Sequence, residues 1–333
     1  MPPRSMTNQV AQLQKEVVPG VPLVTAMKRL QGIKLMPGYN VDGSQGFKAS
    51  GYKVNTSYQI GDIWSQWTVD GIQDFNALGY VLASYFGPPV TTTPATGVTA
   101  RQHVFTMNPA AVDPLLTYTA QWGDSVKAFQ ASYFAFQSLT LGIERGNLSF
   151  GSSGISRKQD KGATLASTGV TSVTSVPIPQ RGYDVYADDT WATLGTTKLL
   201  AAYSAEITNP DKFVPDRPIN SQVDGYETLM EADDMDFAGK LTVGFDTTGA
   251  ALVDSFENEA LKFFRFAVDG PLIETTIKYG LKYDIAARLS NVGEVTSAPN
   301  SPTVVLPFDL SMIADPTSNQ FQRVTLVNSI SSY

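Results

Sequence analysis

Strict alternation constrains this chain more than any other feature of its sequence. In TTIKYGLKYDIAARL the residues Ile277, Tyr279, Leu281, Tyr283 and Ile285 recur at every second position without a break. Only an extended strand gathers such residues on one side, because successive strand side chains point to opposite faces. FQASYFAFQSLTLGIERGNLSF repeats the pattern through Phe129, Ala131, Tyr133, Ala135, Leu139, Leu141 and Ile143. YKVNTSYQI does so through Tyr52, Val54, Tyr58 and Ile60, with Thr56 as a polar break. One apolar face backed by a polar one is the pattern of antiparallel sheets. The turn clusters NPAAVDP, GSSG and APNSP lie between such segments, so the expected class is mainly β, a sandwich or barrel.

Two stretches depart from alternation. In DFNALGYVLASYFGPP, residues 74–89, Phe75, Leu78, Leu82 and Tyr85/Phe86 recur at helical steps. Asp74 is the expected N-cap, and Gly87 with Pro88 and Pro89 ends the helix. GAALVDSFENEALKFFRFAVDGP puts Leu252, Phe256, Ala260 and Phe263 on one helical face, with Asp269-Gly270-Pro271 as the stop. Each helix is expected to lay an apolar stripe over an open sheet face or edge.

The helices sit in a repeated order of elements. A strand, a long loop and a second strand precede each one, and paired strands follow it, over 103–150 and 274–330. Thr68-Val69 matches Thr242-Val243, and Leu78 matches Leu252 at the same offset. The resulting parse is an N-terminal arm over 1–20, a first β module over 21–183 and a second over 184–333, joined near the linker-like VPIPQRGYD.

Composition then removes most chemistry. The 333 residues are 42% hydrophobic with a net charge of -7, enough apolar matter for cores and no basic run for a nucleic-acid groove. There is no cysteine, which excludes disulfides, thiolate metal sites and cysteine nucleophiles together. MPPRSMTNQVAQLQKE has no apolar signal-type core, and no long uncharged apolar run follows, so a soluble protein made in a cytoplasm is expected. The single histidine, His103 in RQHVFTMNP, reads as a surface or strand residue without a catalytic role.

The acidic run Glu231 to Asp236 is the best cation candidate, but it lacks the turn glycine and ligand spacing of a calcium loop and reads as a solvated loop. In YADD at 186–189 the adjacent carboxylates should point apart on a strand. GSSG at 151–154 has no GK[ST] and no following helix to make a phosphate cradle, and SRKQDKG at 156–162 reads as a mixed-charge loop. Trp64, Trp67, Trp122 and Trp191, with 14 tyrosines, could line a sugar-binding face, the alternative being core packing. No catalytic, cofactor or metal site is expected.

The segments GSQGFKASGYKVNTSYQIGDIWSQWTVDG, DFNALGYVLASYFG and LLTYTAQWGDSVKAFQASYFAFQSLTLGIERGNLSFGSSG, with the closing GPLIETTIKYGLKYDIAARL and FQRVTLVNSI, resemble the major tail tube proteins of long-tailed bacteriophages. The resemblance covers most of the chain from about residue 22. It implies two tail-tube-like β-sandwich or barrel modules, each with one flanking helix. It also implies a non-enzymatic virion protein that assembles into stacked rings, a hollow tube conducting DNA into the host. The implied partners are further copies of the chain, the tape-measure protein and viral DNA in the lumen, and the tail terminator and tail-tip proteins. With tandem modules, three copies would give pseudo-sixfold rings; six copies of a single fold is the alternative. The long segments PGYNVDGSQGFKASG and PDRPINSQVDGYETLMEADD are expected to reach the adjacent ring, with Phe47, Tyr52 and Tyr226 as apolar anchors. A carbohydrate- or receptor-binding β-sandwich on a virion surface is the competing reading.

Overall fold

The structure is a computed structural model that describes residues 9–45, 58–71, 73–94, 98–221, 223–298 and 303–333. The chain is mainly β. Its elements up to residue 183 are β1 (Val10–Lys15), β2 (Lys28–Leu30), β3 (Lys34–Pro37), β4 (Asn40–Gln45), β5 (Tyr58–Asp70), α1 (Leu78–Phe86), β6 (Val90–Thr92), β7 (Arg101–Met107), β8 (Tyr118–Gly123), β9 (Ala128–Phe136), β10 (Leu139–Glu144), β11 (Asn147–Arg157) and β12 (Thr171–Ser172). From residue 184 they are β13 (Asp184–Asp188), β14 (Ala202–Asn209), β15 (Phe213–Asp216), β16 (Thr228–Glu231), β17 (Ala238–Gly244), α2 (Thr247–Glu257), β18 (Leu261–Glu274), β19 (Ile277–Val292), β20 (Thr296–Ser297), β21 (Val304–Met312) and β22 (Gln322–Asn328).

In the first half the strands pair in the order β1, β8, β9, β11, β5, with β3 and β4 on the far edge of β5. In the second half the order is β13, β18, β19, β21, β17, β14. Among the described residues, two antiparallel strand pairings cross between the halves: β10 with β14, and β7 with β22. Because β10 also pairs with β11, one sheet runs unbroken from β3–β4 through β5, β11, β10, β14, β17 and β21 to β20.

Leu35, Trp67, Val69, Leu141, Phe150, Ile207, Leu241 and Phe308 line the inner face of that sheet, all buried in one apolar cluster drawn from both halves. At roughly 1.5–3 kcal/mol for each fully buried large apolar side chain, this common core binds the halves firmly. The residues before and after the expected boundary at 183/184 thus share a sheet and a core. The expected linker is also tied down: Phe75 N donates to Val176 O at 2.9 Å, Ile178 N to Gln73 O at 3.0 Å, and Ser175 Oγ to Asp74 Oδ2 at 2.7 Å.

Three expectations change. Residues 10–15, placed in an arm, form β1 between β2 and β8, because Ala11 and Leu13 alternate into the core. The first helix begins later than expected, at Leu78 with Ala77 at its N-cap, and Asp74 caps the turn that leads into it, Oδ1 accepting from Asn76 N at 2.8 Å and Ala77 N at 2.9 Å. All nine residues of α1 are buried, so it is covered on every side and not only along the stripe expected to lie on a sheet face or edge. The second helix is shorter than expected. It starts at the Asp246 cap, buries only Gly249, Leu252 and Ser255, and stops at Glu257. Glu259 takes a φ of 50°, and the aromatic run that follows becomes β18, with Phe264, Phe266 and Val268 alternating inward. Phe263 matched the helical spacing only by coincidence.

Candidate functional site

The outer face of the continuous sheet is the broadest functional candidate. Strand pairing decides which residues share it, since directly opposed residues lie on one face. Thr140 lies opposite Gly151 and Thr208, Gly151 opposite Asp70, and Asp70 opposite Lys34. Gly142 lies opposite Ser149 and Glu206, Glu206 opposite Lys240, and Lys240 opposite Asp309. Ser, Thr and Gly thus dominate the face, set with the carboxylates of Asp70, Glu144, Glu206 and Asp309 and the ammonium groups of Lys34 and Lys240. It is indented: a hollow of about 340 Å³ lies over Thr140, Ser149, Glu206, Lys240 and Asp309, and one of about 460 Å³ over Asn40, Gln66, Thr68, Ser138 and Ser153. A mildly acidic, apolar-poor surface repels a phosphate backbone. Sequence reasoning did not single out this face. Its signal was present in the small polar residues alternating with large apolar ones in NLSFGSSG, LTLGIE and AGKLTVG.

The expected anchors fare differently. Phe47 and Tyr52 lie outside the described residues. Tyr226 is 1% exposed, packs with Tyr133, Ile155, Phe213 and Leu229, and donates its hydroxyl to Tyr133 O at 2.8 Å. It is occupied inside its own chain, because the segment that carries it folds back as the hairpin β15–β16. Burial raises its phenol well above the ordinary range. Arg157 clasps this hairpin, with Nε donating to Tyr226 O at 2.9 Å and Nη2 to Glu227 O at 2.7 Å, and Lys158 pairs with Asp224 at 2.6 Å. The cationic stretch thus faces its own chain. Val214, Ile219 and Met230 are the large apolar residues that the segment exposes.

The other candidates resolve into structural roles. Lys212, 1% exposed, donates Nζ to Tyr85 O at the end of α1 and to Asp113 Oδ2, both at 2.7 Å, with Glu231 Oε1 at 3.4 Å. Glu231 is turned toward this cluster, also accepting from Asp113 N at 3.0 Å, while Asp233, Asp234 and Asp236 face solvent. Among the described residues, no three acidic or histidine side chains are grouped to hold a metal ion. Asp188 and Asp189 do point apart. Burial opposes ionisation of Asp188, but Thr196, Thr197 and Gly195 donate to it and hold its carboxyl below the usual range. Asp189 is exposed and meets Lys262.

His103 is in strand β7 but buried, with Nε2 donating to Ile330 O at 2.9 Å and Nδ1 bonded to the Thr91 hydroxyl at 2.8 Å. Burial lowers its pKa. The tryptophans do not share a platform: Trp67 is buried against Phe134, Trp64 is covered by Arg217, Trp122 stacks on Phe129, and Trp191 meets Phe263. Among the described residues, no helix is long and apolar enough to cross a membrane.

No protein-family profile matches the sequence, and no curated protein matches it.

Proposed function

We propose that the chain is a structural virion protein of the tail-tube kind, which closes into rings that stack as a hollow conduit for DNA. The observation that carries this reading is one order of strand pairing, used twice. The first half runs β1, β8, β9, β11, β5, β3, and the second β13, β18, β19, β21, β17, β14. A helix follows the corresponding strand in each, α1 after β5 and α2 after β17; α2 leads directly to β18, whereas β6 and β7 come between α1 and β8. Thr68 lies between Met36 and Ser153 as Thr242 lies between Ser204 and Pro307, so the Thr-Val match of the sequence falls at one place in both ladders.

Two tandem modules account for this recurrence, the first beginning at β1. A chain built that way offers like surfaces on both sides, and closing copies into a ring removes the open edges that a long sheet otherwise exposes. The indented polar face then lines the bore, past which DNA and the tape-measure protein move without sequence-specific contact. The exposed Val214, Ile219 and Met230, in place of Tyr226, meet the adjacent ring. Terminator and tip proteins close the ends, and no step is catalytic.

Electron microscopy of the purified chain over a range of concentrations tests this. Rings or tubes with three chains and six lobes support both the function and the tandem modules. Six chains per ring keep the tube and remove the tandem parse. A monomer that persists at all concentrations overturns the reading.

A further inference from the structure

We infer that copies join through the two open edges of the continuous sheet, β20 of one pairing antiparallel with β3–β4 of the next, in the register that β10 and β14 keep within the chain. The inference deepens the self-assembly reading and rests on it. Among the described residues β3 and β4 pair only with β5, and β20 only with β21, so the sheet ends at these strands.

Both ends have counterparts in the middle of the same sheet. Asn40 lies opposite Trp64, and Thr208 lies opposite Ala238. Trp64 and Ala238 stand equally far before Thr68 and Thr242, so Asn40 corresponds to Thr208. On the other side, Thr140 pairs through Gly151 to Asp70, and Thr296 through Val305 to Gly244. Asp70 and Gly244 stand equally far beyond the same threonines, so Thr296 corresponds to Thr140. A second path checks the spacing: Phe136 meets Gly154 opposite Trp67, as Val292 meets Phe308 opposite Leu241. Phe136 is as far from Thr140 as Val292 is from Thr296, with no residue inserted.

Within the chain Thr140 faces Thr208, and Leu139 faces Asn209. Carried to the ends, Thr296 faces Asn40 of the next copy, Val295 faces its Val41, and Ser297 faces its Tyr39. Exposure agrees with this assignment. Leu139 and Asn209 are 0% and 1% exposed beneath their pairing, whereas Val295 is 61%, Val41 38% and Tyr39 38% exposed. Apolar side chains along an unpaired edge are a hazard for a solitary chain, and a second copy covers them.

The chain has no cysteine, so disulfide trapping has no background. Asn40→Cys with Thr296→Cys, made in the full chain, puts one thiol on each proposed edge, within bridging reach when opposed. Thr140→Cys with Thr208→Cys is the intrachain control, and Asn40→Cys with Ser297→Cys is one residue out of register, on opposite faces. Oxidation of the assembled in-register pair is expected to give a covalent ladder of chains, the intrachain pair only monomers, and the shifted pair little product. Val295→Asp, exposed in a single chain, is expected to raise the concentration needed for assembly about tenfold, with the melting temperature of the monomer unchanged. Assembled protein that bridges no better in register than out of it overturns this interface and leaves self-assembly standing. A natural chain that never assembles overturns both.

Discussion

The hydroxyl of Tyr226 donates to the main-chain carbonyl of Tyr133 at 2.8 Å, at a bulge in β9. Tyr133 has a φ of 55°, where the β8–β9 register slips. The bulge takes both of its polar backbone groups out of the ladder. Tyr226 satisfies the carbonyl, and buried Glu16 accepts from the amide at 2.9 Å. Tyr226→Phe keeps the ring and strands a buried carbonyl, so a loss of about 1–2 kcal/mol is expected by urea unfolding. An unchanged midpoint would show that the carbonyl finds another donor.

Lys212 tests the join between the halves. It ties the end of α1 to Asp113 and to the β15–β16 hairpin. Lys212→Met leaves the Asp113 carboxylate buried without its cation, and about 3–5 kcal/mol of stability should be lost. Adding Asp113→Asn removes the stranded charge, so the double variant should be more stable than Lys212→Met alone. Additive losses in a double-mutant cycle would count against this account.

Gly79 gives a prediction whose sign opposes helix propensity. Alanine inside a helix is ordinarily favoured over glycine by roughly 1 kcal/mol. Here a Cβ on Gly79 would collide with the ring of Tyr333, which is buried between Tyr80 and His103. Gly79→Ala is therefore expected to lower the melting temperature; a rise would mean that the ring moves freely.

The pH dependence of His103 follows from its burial. Its folded pKa lies below the ordinary 6.5. The unfolded chain therefore binds the proton more readily, and this histidine's contribution is intact above about pH 6.5 and declines as pH falls from there toward the folded pKa. As the only histidine, it should give a single Hε1 resonance in NMR, titrating below 6.5. A midpoint at or above that value would contradict the burial seen here.

The acidic outer face predicts what charge reversal does. Glu144→Lys, Glu206→Lys and Asp309→Lys together should leave folding and assembly intact, since these side chains point away from the core. On the proposed tube reading, tubes of this variant should retain DNA at low salt and release it as salt rises, whereas tubes of the natural chain should retain none. Equal retention by both would remove the polar face from the account.

The sequence by itself determined the alternation of the strands, the Asp74-capped turn that leads into the first helix and the Gly87 end of that helix, the Thr-Val correspondence between the halves, and the divergence of Asp188 and Asp189. These are local properties, set by backbone geometry within a few residues. Tertiary structure decided what covers each face. Alternation puts Tyr133 and Leu141 on one side of a single run, but does not say that the run breaks into β9 and β10, that a bulge intervenes or that Tyr226 returns to close it. Helical spacing marked Phe263 as well as Leu252, and only pairing with Ile285 neighbours across β18–β19 made that aromatic run a strand. Nor could spacing reveal that β10 meets β14 and β7 meets β22. Such contacts join residues far apart in the chain, where burial in a common core outweighs local preference and leaves no periodic trace in either segment.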